Sequence, residues 1–447
     1  MYNLTMTLSI AQALRVDYSP CIAFVGAGGK TTAMFQLARQ LTPPVIVTAT
    51  SHLGVWQLGL ADQHITAATP EPIEKLEYGS SAITLVTGEI DGDRTKPIDD
   101  ELMLWLHQYC SDHSIPLLIE ADGAKQKPLK AWAEHEPPIP SFVKQVVQVV
   151  GLSGLGKPLT EDVVHRSERF AGITGLETGN TITADALAKV LTSKQAGLKN
   201  IPSEARRTVL LNQADTPDQQ SAAKGLAQSL LPFYQTVVIS SLNEHMIHAV
   251  HEPVAGIILA AGGSSRFGKA KQLLDWHGQP FVHAVAKTAL MSGLAPIVMI
   301  TGSDAQAVES AVHDIHIEIA FNRDWKSGQG TSIKEGITSL LGKWVGGAIF
   351  LLADQPQVTS SVLRALMEKH AEGLFPIVAP MVMDQRANPV LFDRCTFNDL
   401  LNIEGDVGGR AIFHKHRVEY VPWNDDRLLL DVDTPEMYQR LISDDTL

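Results

Sequence analysis

Two short runs of apolar residues stop abruptly at a glycine-rich turn and give way to a helix-spaced pattern: Cys21 to Val25 ahead of Gly26, and Val254 to Leu259 ahead of Gly262. Apolar residues at every position, rather than every second one, predict a strand buried on both faces, so each run reads as the opening βα unit of its own α/β domain. In the first half, further strands are predicted at Val45 to Thr48, Ala82 to Val86, Leu117 to Glu120, Val146 to Val150, Val209 to Leu211 and Val237 to Ser240. They alternate with helical patterns such as Thr31 to Leu41 and Ser221 to Leu231. The second half repeats the rhythm with strands at Ile297 to Thr301, Ile317 to Ala320, Ala348 to Leu352 and Ile377 to Ala379, and helices near Pro280 to Met291, Ser332 to Leu340 and Ser360 to His370. The expectation is α/β with two doubly wound domains, 1–250 and 251–447, joined by a short connection near His248 to Pro253. The halves share no motif order beyond the first turn, so no internal repeat is read.

A chain of 447 residues exceeds what one hydrophobic core serves, which agrees with two domains. Apolar residues at 45% and charged residues at 19% predict a chain folded throughout. The formal charge of -13, without a long Lys/Arg run, argues against nucleic acid and anionic membranes as partners. Small molecules are favoured, phosphorylated ones included, because a few basic side chains, backbone amides and magnesium act over short distances. Cys21, Cys110 and Cys395 give neither a disulfide framework nor a CxxC site. With no basic-then-apolar leader and no apolar stretch long enough to span a bilayer, a cytoplasmic protein is expected.

After the Val254 to Leu259 run comes Ala260-Ala261-Gly262-Gly263-Ser264-Ser265-Arg266-Phe267-Gly268, then Lys269 and Lys271. Glycines let backbone approach a triphosphate, so Leu259 to Ser264 form the predicted nucleotide cradle. Arg266 and Lys271 are placed to meet the charge that builds on departing pyrophosphate. Leu351-Leu352-Ala353-Asp354-Gln355-Pro356 ends a strand on a carboxylate, the position that faces the ligand crevice of an open α/β sheet, so Asp354 is the predicted Mg2+ ligand. Gly405-Asp406-Val407-Gly408-Gly409-Arg410 offers backbone donors and a guanidinium: Gly408 and Arg410 either hold an acceptor phosphate or form an ordinary loop. Asn388 either contacts the acceptor or shapes a turn before Pro389. Asp431-Val432-Asp433 has the spacing of a DxD metal motif. Since Thr434-Pro435-Glu436 opens a helix, Asp433 is expected to cap it, with a second metal contact as the alternative.

The ordered motifs LAAGGSSRFGKAKQLL, LLADQP, RANPVLF, GDVGGR and DVDTPEMY closely resemble the MobA-like nucleotidyltransferases, nearest the MocA type, from about Val254 onward. The resemblance implies Mg2+-dependent transfer of a nucleotide to the terminal phosphate of molybdopterin on a Rossmann-like sheet. Ala261 matches the LAAG of the cytidylyl branch rather than the LAGG of the guanylyl branch, implying CTP. The sequence departs from the commonest pattern at Phe267, where Met is frequent, and at Arg386-Ala387-Asn388, where Gly-x-His often precedes the proline. The transfer itself needs no covalent nucleophile: a phosphate monoester, with a second pKa of about 6, is already ionised and attacks the α-phosphorus in line. Two alternatives stand beside this, transfer using GTP or another phosphorylated acceptor, and a non-catalytic molybdenum cofactor chaperone with a nucleotide switch.

In the first half, Gly26-Ala27-Gly28-Gly29-Lys30-Thr31-Thr32 follows a strand and opens a helix, as a phosphate cradle requires. The expectation is a P-loop NTPase-like domain: amides around the phosphates, Lys30 on the terminal ones, Thr31 on magnesium, with Gly26, Gly28, Gly29 and Thr32 completing the loop. The spacing is shorter than a standard Walker A and fits GxxGKTT, as in Mur-ligase-like loops. Glu120-Ala121-Asp122-Gly123 ends another strand, and Asp122, next to the glycine, is the preferred carboxylate. Thr48, Thr50, Ser51 and His52 end the strand between and are expected at the same crevice. Lys125, Lys127 and Lys130 either attract phosphate or stay solvated. Asn212-Gln213-Ala214-Asp215 lacks the lysine of a guanine-reading NKxD turn. GAGGKTT, TATSHL, EADGAKQKPLKAWAEHEP, DVVHR and LLNQAD together resemble the YqeC-type selenium-dependent hydroxylase accessory family from Cys21 to Ser240, with His165 and Arg166 matching its HR element. The resemblance implies association with maturation of molybdenum hydroxylases, with an apo molybdenum hydroxylase as a partner, while ATP or GTP is expected at this domain from the phosphate-cradle loop.

Overall fold

The computed structural model describes residues 8–16, 18–75, 82–263 and 270–443. The chain divides into two compact units, 1–251 and 252–447, each built around its own sheet.

Among the described residues of the first unit, nine strands lie in the order Met246–His251, Thr236–Ser241, Arg206–Asn212, Gln145–Gly151, Cys21–Gly26, Leu117–Glu120, Val45–Ala49, Ile83–Thr87 and Gln63–Thr66. The Cys21–Gly26 strand is central and every position along it is buried, which is why it reads as an unbroken apolar run. It pairs in parallel with Leu117–Glu120 on one side and Gln145–Gly151 on the other. The parallel strands point their carboxyl ends one way, so Gly26, Glu120, Ala49 and Asn212 finish on the same edge. The helix Asp100–Asp112, capped by Asp99 accepting from Leu102 N, turns Leu102, Met103, Leu106 and Cys110 onto Ala23, Val25, Ile46 and Ile119. One strand breaks the expected pattern. Met246–His251 runs antiparallel at the sheet edge, where an open connection was expected, and the passage to the second unit narrows to Glu252 and Pro253. Its half-exposed Met246, His248 and His251, set among the buried Ile247, Ala249 and Val250, are what an edge strand carries.

The second unit has an eight-stranded mixed sheet, ordered Glu318–Phe321, Ile297–Thr301, Val254–Ala260, Gly347–Leu352, Val390–Asp393, Ile377–Val382, with Gln385–Arg386 and Val418–Pro422 both on Ile377–Val382. Val254–Ala260 pairs in parallel with Ile297–Thr301 and Gly347–Leu352. Val390–Asp393 is antiparallel to both of its neighbours, so the sheet is α/β but not wholly parallel as expected. Successive residues of the central strand serve two cores. Ile258 packs with Val285, Leu363 and Leu366 from the helices Phe281–Ser292 and Ser360–Gly373. Ile257 packs on the other face with Ile333 and Ile337 from the helix Gln329–Thr338.

Phe392 lies at the centre of that second core, 2% exposed and edge-on to both Phe350 at 5.5 Å and Phe413 at 6.1 Å. Phe392→Ala is expected to destabilise the full chain by about 3–5 kcal/mol, read as a lower urea midpoint with an unchanged native circular dichroism spectrum. An unchanged midpoint would mean that the aromatic cluster is not what holds this face.

Candidate functional sites

In the second unit the register Leu259↔Leu352 carries both strands to their carboxyl ends together, and the chain beyond each forms one wall of a cleft of about 640 Å3. Leu259, Ala260, Ala261, Gly262, Gly263, Lys271 and Asp354 all line it, so most of the nucleotide site expected from sequence converges here. Ser264 and Arg266 lie outside the described residues. The turn after the strand is braced from within by Gln272, buried, whose amide donates to the carbonyls of Ala260 at 3.3 Å and Gly262 at 3.1 Å.

Burial raises the Asp354 carboxyl above its ordinary range, Lys271 pulls it back, and Asp431 and Asp433 push it up again. Three acidic side chains thus share the field of one lysine. Lys271 Nζ donates to Asp433 Oδ1 at 2.5 Å, and the Gln355 amide donates to Asp431 at 2.8 Å, fastening the 431–433 segment to the Asp354 turn. The helix Pro435–Ser443 receives its cap from Thr434, whose hydroxyl accepts from Met437 N at 3.3 Å. Capping was expected of Asp433; instead that side chain is directed to Lys271. Among the described residues no three His, Cys, Asp or Glu side chains gather as a ready metal cage. The donor chemistry still suits a hard cation held by one or two carboxylates and completed by substrate phosphates. The Gln355 Oε1, on the residue after Asp354, is buried without a hydrogen-bond partner among the described residues.

A second cavity of about 240 Å3 shares Leu259, Gln329 and Leu352 with the first and is lined by Asn388, Gly408 and Arg410. The three residues expected to meet an acceptor are therefore together, beside the cleft. Phe350, Phe392 and Phe413 give this cavity an apolar floor. Sequence reading missed Trp325 and Gln329, which also line the cleft. The Gln329–Thr338 helix starts at the cleft, and its first amide is already taken, since Gln329 N donates to Asp406 Oδ1 at 3.0 Å. The Gly328-Gln329-Gly330 spacing was the signal available for that turn.

In the first unit, the loop after the central strand is made of glycines because nothing else fits. Gly26, Gly28 and Gly29 hold φ of +98°, +83° and +122°, and a Cβ on Gly26 would lie 2.2 Å from the Val149 carbonyl oxygen. The amides expected to surround phosphates are partly committed: Gly26 N donates to the Asp122 carboxylate at 3.0 Å, Ala27 N to Val149 O at 2.9 Å and Gly28 N to Lys127 O at 3.1 Å. The amides that open the Lys30–Ala38 helix carry no side-chain cap. Asn212 braces the loop through its amide, donating to Gly28 O at 2.8 Å, a structural role rather than base reading.

The acidic pair separates into two roles. Asp122, 1% exposed, accepts from Gly26 N, from Lys130 Nζ at 2.9 Å and from Trp132 Nε1 at 2.7 Å, with Lys30 at 3.3 Å, so its oxygens are saturated by protein donors. Glu120 is the carboxylate at the hydroxyl of Thr31, 2.8 Å away, and burial raises its pKa. Of the two acids, Glu120 is the one that meets Thr31, while Asp122, preferred from sequence, is engaged by Gly26, Lys130 and Trp132. Lys30, 5% exposed, donates to Gly26 O at 2.8 Å. Thr48 is spent inside the sheet on Val86 O, His52 is exposed, and Thr32 is half-buried at the helix start.

Lys130 is no solvated lysine. Its side chain is fully buried between Asp122 and Glu136, and Arg166 closes the chain with two bonds to Glu136 at 2.6 and 3.0 Å. The row Gly26 amide, Asp122, Lys130, Glu136, Arg166 alternates in charge and ties the glycine loop to the HR element. His165, beside it, is pressed down to about 4 by burial and by Arg166 and Lys130. Lys127 pairs instead with the exposed Asp162.

Comparison with known proteins follows the same division. Residues 22–168 match the family model of the YqeC protein and residues 256–420 that of the MobA-like NTP transferase domain, so both resemblances read from the motifs hold. YqeC of Escherichia coli (strain K12) is 29% identical over 232 residues, 50% of this chain and 88% of that protein. Nicotine blue oxidoreductase of Paenarthrobacter nicotinovorans is 29% identical over 198 residues, 42% of this chain and 96% of that protein. A probable molybdenum cofactor guanylyltransferase of Bacillus cytotoxicus is 28% identical over 130 residues, 28% of this chain and 62% of that protein.

Glu136 makes the charge row pH-sensitive. Burial alone would raise its pKa, but the hydrogen bonds and charges of Arg166 and Lys130 win and hold it at about 2, below its unfolded value of 4.5. A depressed carboxyl contributes stability that is present above the unfolded pKa and lost as pH falls through the folded one. Thermal melts of the native chain are therefore expected to lose Tm between about pH 4.5 and 2, and Glu136→Gln should lower Tm near neutrality while flattening that acid slope. Identical acid slopes in both proteins would show that the pair does not couple to folding.

Proposed function

We propose that the second unit, which carries a MobA-like NTP transferase domain, transfers CMP from CTP to the terminal phosphate of molybdopterin and releases pyrophosphate, while the first unit binds ATP or GTP on its 26–32 loop as an accessory to maturation of molybdenum hydroxylases. The observation that carries the transfer reading is the pair of adjoining cavities: glycine turn, Lys271 and Asp354 in one, Asn388, Gly408 and Arg410 in the other, with Leu259 and Leu352 shared between them. A donor and an acceptor held in neighbouring compartments meet the requirement of in-line displacement, that attacking and leaving oxygens stand on opposite sides of one phosphorus.

In this reading the Ala260 to Gly263 backbone seats the triphosphate, and Asp354, with Asp433 as a second oxygen, would hold Mg2+, which when bound screens the gathered phosphate charge. Lys271 leaves Asp433 to follow the negative charge onto pyrophosphate, and Arg266 joins it. Arg410 and the Gly408 amide steady the acceptor phosphate, and the aromatic floor of the smaller cavity suits a flat heterocycle. Ala261, the cytidylyl form of the turn, supports CTP over GTP.

The likeness to nicotine blue oxidoreductase favours a second reading, redox chemistry in the same cleft. Pyrophosphate release from purified chain, with CTP, GTP or ATP set against molybdopterin and other phosphorylated acceptors, separates the two. CTP with molybdopterin is expected to give the largest signal, and no release with any pair would remove nucleotidyl transfer. Asp354→Ala should cut turnover at least ~100-fold with the fold intact, whereas Lys30→Ala should leave it unchanged. Full turnover by the Asp354 variant would end the metal assignment.

A further inference from the structure

The hydroxyl of Thr31 is engaged from two sides. It donates to Glu120 Oε2 at 2.8 Å and accepts from Gln57 Nε2 at 2.8 Å. Gln57 is 6% exposed and sits in the 3-10 turn Val55–Leu60, where its own Oε1 accepts from Gly54 N at 2.8 Å. The amide orientation is thus set at both ends, and Gln57 ties the Val55–Leu60 segment to Thr31 of the glycine loop.

Glu120 keeps unused acceptor capacity: among the described residues the neighbour of Oε1 is Lys30, 3.9 Å away. Beside it, Thr50 N donates to the Glu120 carbonyl at 3.1 Å, and the buried hydroxyls of Thr50 and Ser51 have no hydrogen-bond partner. Thr31 and Glu120 bring a hydroxyl and a carboxylate within 2.8 Å of each other, hard oxygen donors of the kind that take Mg2+ or Mn2+ rather than a softer metal. Asp122 cannot serve without releasing Gly26, Lys130 and Trp132.

We propose that Thr31 and Glu120 hold the divalent cation of a nucleoside triphosphate bound on the 26–32 loop, and that Gln57 competes with this cation for Thr31, so that loading releases the Val55–Leu60 segment. The proposal rests on nucleotide binding by the first unit. A hydroxyl has two lone pairs, and an amide proton pointed at one of them opposes a cation arriving at the other. When the cation enters, Gln57 swings away and takes its neighbour Trp56 with it. Trp56 is already 63% exposed, so the segment presents a hydrophobic side chain whose surroundings change with the nucleotide state.

The experiment uses the full chain and ATP or GTP, titrated with MnCl2 or with EDTA, while tryptophan emission is followed. Native protein is expected to bind nucleotide about 10-fold more tightly with Mn2+, with an emission change that Trp56→Phe removes. Glu120→Gln should lose the Mn2+ advantage yet keep the affinity measured in EDTA, which certifies its fold. Gln57→Ala should strengthen Mn2+-dependent binding several-fold and leave binding in EDTA unchanged. Nucleotide binding that is equal with and without Mn2+, or a Gln57 variant that behaves as native, overturns this inference and leaves the nucleotide reading standing. Failure of the native chain to bind either nucleotide overturns both.

Discussion

Parallel register is the constraint on which both sites depend. In the first unit Phe24 stands opposite Glu120, so Asp122 falls opposite Gly26 and its carboxylate takes the Gly26 amide. In the second unit Leu259 stands opposite Leu352, which brings Asp354 level with Ala261. Each time a central strand ends in a glycine turn, and the strand beside it delivers an acid to the same edge. Side chains of a strand alternate between faces, so a slip of one residue would send each acid to the wrong side and leave the glycine turn without its partner. The hydrophobic runs that flank these turns are buried on both faces, and that burial locks the register in place.

The same arrangement is used for different ends. Asp122 spends its charge inside the protein, holding the loop, with Lys130, Glu136 and Arg166 extending the alternation until it reaches the half-exposed HR element. Removing one member of such a buried row leaves its neighbour's charge uncompensated, which costs more than the pair contributes while intact. Among the described residues, Asp354 has Lys271 close by and two further carboxylates, a balance short of positive charge. In the proposed function a cation completes that balance, whereas Asp122 is already engaged by Gly26, Lys130 and Trp132.

Much of this was legible in the sequence, and the failures have physical causes. The strands Cys21–Gly26, Leu117–Glu120, Ile297–Thr301 and Gly347–Leu352 came through because two-sided burial writes itself as continuous apolar residues. Met246–His251 was taken for a connection, since an edge strand needs only one apolar face and its histidines look like linker. Gln63–Thr66, short and half-polar, gave no signal at all. Asn388, Gly408 and Arg410 were picked from separate motifs and meet in one cavity, because each motif marks a loop at the carboxyl edge of the sheet. The choice between Glu120 and Asp122 was out of reach. Two acids on consecutive same-face positions differ only in which donors surround them, and Lys130 and Trp132 declare themselves only once the chain is folded. That Lys130 would be buried in an ion row, rather than drawn to phosphate or solvated, was out of reach for the same reason: a lysine codes its charge, not its burial.

The central claim, that the glycine turn and Asp354 form one nucleotide site, is tested most directly by crystals grown with Mn2+ and a non-hydrolysable CTP analogue. The account predicts an anomalous manganese peak on the Asp354 carboxylate, with the analogue's phosphates along Ala261 to Gly263 and the base away from Asn388. A manganese peak elsewhere, or an analogue seated in the Asn388 and Arg410 cavity with the glycine turn bare, would contradict it.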